Sequence, residues 1–221
     1  MIIKFYLTFI AILLYSNQLS AQDLIKDFEK INKNDYFIFY LHGRIIEEQG
    51  INAVSDKFGA YKYEKILAAF ESSGFQVLSE ARKKNTDPIK YAGFLTGQIQ
   101  RLISSGVSPE NITVVGASKG SLIAMLTSSN LQHNKVNFVI LASCNDWVRE
   151  NFDIQLCGRV LSIYDQSDDL CSTCEPIFQD AKCELVTDEI KLNTGKMHGL
   201  IYQPYKAWIE PTMEWARPNS K

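Results

Sequence analysis

The pentapeptide Gly116-Ala117-Ser118-Lys119-Gly120 constrains this chain more than any other stretch. It follows the apolar run Ile112-Thr113-Val114-Val115 and leads into Ser121-Leu122-Ile123-Ala124-Met125-Leu126. That order predicts a strand, a sharp turn and a helix, with a serine at the apex. A turn this tight holds the serine backbone in a strained conformation. The residues two before and two after it approach so closely that only very small side chains fit, which accounts for Gly116 and Gly120. The hydroxyl then projects above a sheet with a helix N-terminus beneath it. There, negative charge developing on an attacked carbonyl is favoured. A glycine-bracketed helix cap without chemistry would match the same five residues, so the partners must come from elsewhere in the chain.

The 221 residues suit one domain with a full-sized core. A net charge of −2 and the lack of any Lys/Arg run argue against a nucleic-acid partner. The N-terminus reads as a signal peptide over residues 1–21. Lys4 supplies the positive end, residues 5–15 are apolar, and Leu19-Ser20-Ala21 offers a cleavage site before Gln22. The apolar stretch is shorter than the roughly 20 residues a spanning helix needs. No cysteine follows it, so no lipid anchor is expected. Removal would leave residues 22–221 as a single domain, periplasmic or secreted, with no stable membrane partner.

Export implies an oxidising compartment, and five cysteines crowd the C-terminal half: Cys144, Cys157, Cys171, Cys174 and Cys183. Cys171-Ser172-Thr173-Cys174 lacks the second Cys pair or His pair of a zinc site, so a structural disulfide is the better reading. The expected bridge is Cys157 to Cys174, with Cys171 to Cys183 as a second. Cys144 is the expected buried free thiol.

Apolar runs at 36–41, 75–78, 112–115, 136–142 and 160–164 predict five strands, and 189–192 is expected to form a sixth. Amphipathic or capped segments at 61–73, 88–105, 121–128 and 205–215 predict helices, the last kinked or broken at Pro211. The alternation predicts an α/β fold: a mostly parallel sheet of about six strands with helices on both faces. Sites on such sheets lie at the carboxyl ends of the strands. Ser118 is there, and three other segments qualify. The first is His42-Gly43-Arg44, where a glycine turn lets an amide point at a substrate oxygen. The second is Asp165-Gln166-Ser167-Asp168-Asp169, in which at least one carboxylate is expected merely to cap the next helix. The third is Gly195-Lys196-Met197-His198-Gly199. The glycines there allow close approach, and the order in the chain marks His198 as a catalytic base.

Nucleophile, acid and histidine in that order on an α/β frame resemble the α/β-hydrolase superfamily. Gly116 to Gly120 looks like its nucleophile elbow and His42-Gly43-Arg44 like its oxyanion loop. The stretch from Val160 to Asp168 is similar to its acid strand and turn, and the register lands on Asp168. Asp169 and Asp146 are the competitors. Gly195 to His198, with Pro204 and Trp208 beyond, resembles its histidine loop and final helix. The resemblance implies a trimmed member, with little room for extra strands before Tyr36. Residues 143–159 are too few for a helical lid, so the site should be open. Residues 44–60, with Ile45, Ile46, Ile51 and Phe58, form the longest loop beside it and the candidate substrate wall.

The implied mechanism has His198 deprotonate Ser118, Asp168 orient the imidazole, and the backbone amides of Arg44 and Lys119 hold the oxyanion. No metal or organic cofactor is called for. The substrate would be a small-molecule carboxylic ester or thioester. An acyltransferase or peptidase would use the same residues, and a non-catalytic binding protein could share the fold. The sequence sets no oligomeric state.

Overall fold

Each of the six expected strand segments forms a strand. The computed structural model describes residues 24–25 and 28–217, and the signal-peptide reading of residues 1–21 lies outside them. In chain order the elements are β1 (Tyr36–Leu41), α1 (Arg44–Gln49), β2 (Val54–Ser55), β3 (Gly59–Ala60), α2 (Tyr63–Glu71), β4 (Phe75–Leu78), α3 (Pro88–Ser104), β5 (Ile112–Ala117), α4 (Lys119–Leu131), β6 (Asn137–Leu141), α5 (Asp146–Asn151), β7 (Gly158–Asp165), α6 (Glu175–Gln179), β8 (Leu185–Leu192) and α7 (Lys206–Trp215). Short 3-10 segments precede β1 and β5, and a third, Met197–Tyr202, follows β8.

The main sheet has the order β4-β1-β5-β6-β7-β8, and every pairing in it is parallel. Alternate residues of each strand feed opposite faces, as the two-residue period of a strand requires. Phe37, Phe39, Val114, Phe138 and Val160 face one core, filled by Leu95, Ile99 and Leu102 of α3 and Ile123 and Met125 of α4. Ile38, Tyr40, Val115, Val139 and Leu161 face the other, filled by Ile66 and Phe70 of α2 and Trp208 and Ile209 of α7. Fully burying one such side chain contributes roughly 1.5–3 kcal/mol. Trp208 is fully buried and its indole N–H donates to the Gln203 carbonyl at 2.9 Å, so its polar atom is not orphaned.

The helix signals act as chemistry predicts. Asp87 caps α3 by accepting from the Ile89 and Lys90 amides at 2.9 and 3.1 Å, with Pro88 in the first turn. Two expectations are corrected. α7 runs through Pro211 unbroken, held by buried Trp208, Ile209 and Thr212. Residues 44–60 are not one loop but α1 and the β2–β3 hairpin. Residues 143–159 hold only the short helix α5.

The cysteine pairing is corrected too. The bridges join Cys144 to Cys174 and Cys157 to Cys183, with Cα–Cα separations of 5.1 Å each. Cys171 is the buried free thiol, in place of Cys144. The reason lies in strand polarity. Cys157 precedes β7, whereas Cys171 and Cys174 follow it. An eight-residue strand puts its ends about 25 Å apart, far beyond the reach of a disulfide. Cys157 therefore pairs with Cys183, just before the neighbouring β8, and Cys174 with Cys144, just past the neighbouring β6.

Peptide mapping without reduction should recover these two bridges and a thiol at Cys171 that is alkylated only after unfolding. Removing either bridge by paired Ser substitution should cost about 3 kcal/mol in denaturant titration. Recovery of a Cys157–Cys174 peptide would overturn the pairing.

Candidate active site

Ser118 lies between β5 and α4 with φ 53° and ψ −118°, a left-handed backbone that a non-glycine residue adopts only under constraint. The constraint is visible. A Cβ at Gly116 would stand 2.5 Å from the Ser121 Cα, and one at Gly120 would stand 2.5 Å from the Leu41 carbonyl carbon. The Ser118 amide donates to Leu141 O at 2.9 Å, and the buried Ser121 Oγ lies 2.7 Å from Gly116 O and 2.9 Å from Leu141 O. The turn is thus clamped between the ends of β1 and β6.

The side chains singled out in three separate segments meet here. Ser118 Oγ is 3.0 Å from His198 Nε2, and His198 Nδ1 is 2.8 Å from Asp168 Oδ2. Asp168 is 5 % exposed and His198 9 %. Burial pushes the Asp168 carboxyl up. The His198 hydrogen bond and charge, the Leu170 amide at 3.1 Å and the Cys171 thiol at 3.2 Å outweigh it, and hold the carboxyl below the ordinary carboxylate range. Asp169 and Asp146 are exposed and stay outside this arrangement.

Asp165 serves differently from any role the sequence suggested. Its Oδ1 accepts from the Ser167 amide at 3.0 Å and hydroxyl at 2.5 Å. Its Oδ2 accepts from the Thr194 amide at 2.9 Å and from the Thr194 hydroxyl. One buried carboxylate therefore joins the loop after β7 to the loop after β8. Burial raises its pKa, but these donors prevail and lower it to about 2. The backbone reversals at Gly195 (φ 69°) and Met197 (φ 54°) then bring His198 inward. A Cβ at Gly199 would meet Phe58 at 2.9 Å, so the glycine makes room for the aromatic ring of the β2–β3 turn.

His42 does not face the site. It is buried, and burial together with the Arg82 charge lowers its pKa to about 3, so it is neutral. Its Nε2 accepts from the Arg82 amide at 2.9 Å, which leaves Nδ1–H to donate to Gly43 O at 2.9 Å. Gly43 is in place beside the serine: a Cβ there would lie 3.6 Å from Ser118 Cβ. Two residues that the sequence did not single out complete the surroundings. The buried Glu47 carboxylate accepts from Arg82 Nε at 2.9 Å and from Lys119 Nζ. Lys119 Nζ also donates to Thr86 O at 2.6 Å, and Arg82 Nη2 donates to His42 O. Glu47 and Glu48 are adjacent and alike in sequence, yet Glu47 is buried with Ile46 and Glu48 is exposed. Arg44 opens α1 and Lys119 opens α4, so their amides have no acceptor within their own helices.

Two clefts meet at Ser118 and His198. One, of about 520 Å³, runs between α1 and the β2–β3 hairpin. The other, of about 620 Å³, runs toward α5 and the loop after β7. Among the described residues no group of three or more His, Cys, Asp and Glu could hold a metal ion.

No family model matches the sequence, and no curated protein matches it. Solved structures do. A protein from Agrobacterium tumefaciens, described as of unknown function and assigned to the alpha/beta hydrolases, aligns with TM-score 0.54 at 14 % identity, over 86 % of this chain and 87 % of its own. Acetyl xylan esterase 1 from a Thermoanaerobacterium species aligns with TM-score 0.54 at 12 % identity, over 87 % of this chain and 77 % of its own. The alpha/beta hydrolase enzyme MGS-M1, from a deep-sea metagenome library, aligns with TM-score 0.50 at 12 % identity, over 84 % and 85 %.

The chain has the α/β-hydrolase fold.

Within the described residues this α/β-hydrolase sheet is six-stranded and wholly parallel, beginning at Tyr36. The segment in which the fold often carries a helical lid holds only the six residues of α5.

The Asp165 link makes a prediction about pH. Its carboxyl is depressed from 3.8 unfolded to about 2 folded, so it stabilises the fold fully above about pH 4. That contribution is lost as pH falls through about 2. Asp165→Asn should cost about 2 kcal/mol in urea titration at pH 7. The difference from wild type should shrink steadily below pH 4. A difference independent of pH would show that the carboxylate is not the clamp.

Proposed function

We propose that this protein is an exported serine hydrolase that cleaves a carboxylic ester or thioester through an acyl-enzyme. The observation that carries the reading is the continuous chain Ser118 Oγ–His198 Nε2–Nδ1–Asp168 Oδ2, at 3.0 and 2.8 Å. The α/β-hydrolase fold supports it at the level of architecture only, since one fold hosts many functions. Two disulfides support export.

His198 Nε2 takes the Ser118 proton as the oxygen attacks the carbonyl carbon. Asp168 fixes the tautomer with Nδ1–H toward itself and stabilises the imidazolium. The oxyanion is received by the backbone amides of Arg44 and Lys119, which line the same cleft as Ser118 and His198. His198 then protonates the leaving group, and water repeats the sequence on the acyl-enzyme. Glu47 is a positioning residue here: it holds the side chain of Lys119 and shares a helix with Arg44, so it sets one oxyanion donor against the other.

Ser118→Ala should lower ester turnover by about a million-fold with the fold intact. Asp168→Asn should lower it about ten-thousand-fold. A fluorophosphonate probe should label wild type at Ser118 and leave Ser118→Ala unlabelled. Wild type that resists the probe, or a clean Ser118→Ala preparation with near-normal turnover, would refute the reading and favour a binding protein.

Glu47→Gln tests the positioning role. We expect a fall in kcat of about a hundred-fold with KM little changed, because donors displaced by a fraction of an ångström fail chiefly in the transition state. A rise in KM alone would show that Glu47 shapes the cleft rather than the oxyanion donors.

A further inference from the structure

The two clefts at Ser118 differ in chemistry, and that difference bears on the substrate. The wall of the larger cleft is apolar: Leu122, Ala142, Trp147, Val148, Phe152 and Leu170. Trp147 is 57 % exposed and Leu170 56 %, among the few large apolar side chains the described fold leaves in water. Neither has a packing reason to be there, since each stands at the lip of the cleft rather than over a core. The two lips are also fastened together. Asn145 Nδ2 donates to Leu170 O at 2.9 Å while its Oδ1 caps α5 through the Val148 amide at 2.9 Å. The Ser172 amide donates to Cys144 O at 2.7 Å, and the Cys144–Cys174 bridge spans the same pair of segments. Trp147 is further braced edge-on against Phe152, with ring centroids 5.6 Å apart. An apolar slot pre-formed in this way binds without first ordering its own walls.

The smaller cleft is more polar: Glu48, Gln49, Ser55, Asp56 and Lys57 line it beside Ile45, Tyr61 and Tyr202, and Arg44 is shared by the two clefts. Charges of both signs stand there with amide and hydroxyl groups, over an aromatic floor. Such a mixed lining suits an uncharged arm that carries hydroxyls on a short carbon frame.

We propose that the substrate is an amphiphilic ester whose apolar acyl chain occupies the Trp147–Leu170 cleft and whose hydroxyl-bearing alcohol occupies the Arg44–Lys57 cleft. The inference rests on the serine-hydrolase reading and adds the substrate class to it. The acyl arm stays bonded to Ser118 Oγ after the alcohol has taken its proton from His198 and left. It therefore belongs in the cleft that holds by burial. The departing alcohol belongs in the cleft that already resembles water.

The test uses p-nitrophenyl esters from acetate to octanoate, with wild type and Trp147→Ala. The Trp147 side chain is largely exposed, so the variant should keep the fold, as thermal melting will report. For wild type kcat/KM should rise about fourfold for each added methylene until the cleft is filled, the free energy of burying one CH2. In the variant the rise should flatten, so that its deficit grows from acetate to octanoate. A second comparison sets glyceryl butyrate against ethyl butyrate. The glyceryl ester should have the higher kcat/KM by about fivefold, the worth of one net hydrogen bond, and Asp56→Ala should narrow the gap. An acyl series that stays flat, a slope untouched by Trp147→Ala, or a preference for the ethyl ester would each overturn the proposal. Failure of the underlying reading would look different: no labelling by the fluorophosphonate probe and no ester turned over at all.

Discussion

The close approach of the turn at Ser118 to the end of β1 is the contact on which the rest of the site depends. Gly120 lies where any Cβ would collide with the Leu41 carbonyl, so β5, α4 and β1 can meet only because that position is bare. The approach sets the distance between the Lys119 and Arg44 amides, which belong to different segments. It also forces the Ser118 backbone to φ 53°, a conformation that costs of order 1–3 kcal/mol and persists only under surrounding restraint. The restraint comes from β6, through Leu141 O and the Ser121 hydroxyl. Strain at Ser118 is thus sustained by β1, β5 and β6, whose residues are almost all buried.

Asp168 and His198 are held by other means. Asp168 lies in the loop beyond β7 and His198 in the 3-10 segment beyond β8, which Leu200, Ile201 and Tyr202 anchor in the core. Hydrogen bonds and covalent links hold the rest. Asp165 ties the two loops together, Cys171 and the Leu170 amide orient Asp168, and Glu189 of β8 accepts from the Thr173 hydroxyl and the Cys174 amide at 2.5 and 2.7 Å. The Cys144–Cys174 bridge anchors the same segment to the end of β6. The second bridge, Cys157–Cys183, does the equivalent at the amino ends of β7 and β8. The half of the sheet with the least hydrophobic cover is the half that carries the disulfides.

This division explains what the sequence made legible. Buried parallel strands announce themselves as apolar runs, and five of the six are of that kind; β8, mostly exposed at the edge, is legible only over its last four residues. The helix start at Pro88 and the glycine pair around Ser118 are equally plain. Asp168 could be reached only through its register with a known family, because three carboxylates within five residues are alike until their hydrogen bonds are seen. The disulfide pairing was misread because spacing along the chain says nothing about which end of a strand a cysteine occupies. Glu47 and Arg82 were invisible for a related reason. They are 35 residues apart, each is flanked by other charged residues, and only the fold puts them in contact. Residues 44–60 looked like a loop because α1 is a single short turn or two and the β2–β3 pairing involves two residues on each side, too little for periodicity to register.

The buried charges beside the nucleophile also show what holds α1 in place. A carboxylate removed from water is costly unless its oxygens are filled, and Glu47 fills them with Arg82 on one side and Lys119 on the other. An apolar residue of the same volume would pack without that cost, but it would not distinguish one placement of α1 from a neighbouring one. Hydrogen bonds of fixed length and direction do. Arg82 extends the same constraint to the exit of β1 by bonding to His42, whose neutral ring is set by burial. Its Nη1 has no hydrogen-bond partner among the described residues, a cost the network sustains in addition. Stability is therefore given up at this point of the fold in exchange for a defined position of α1 and the Arg44 amide that opens it. The proposed role of that amide depends on the exchange, since an oxyanion donor misplaced by a fraction of an ångström stabilises a developing charge little more than water does.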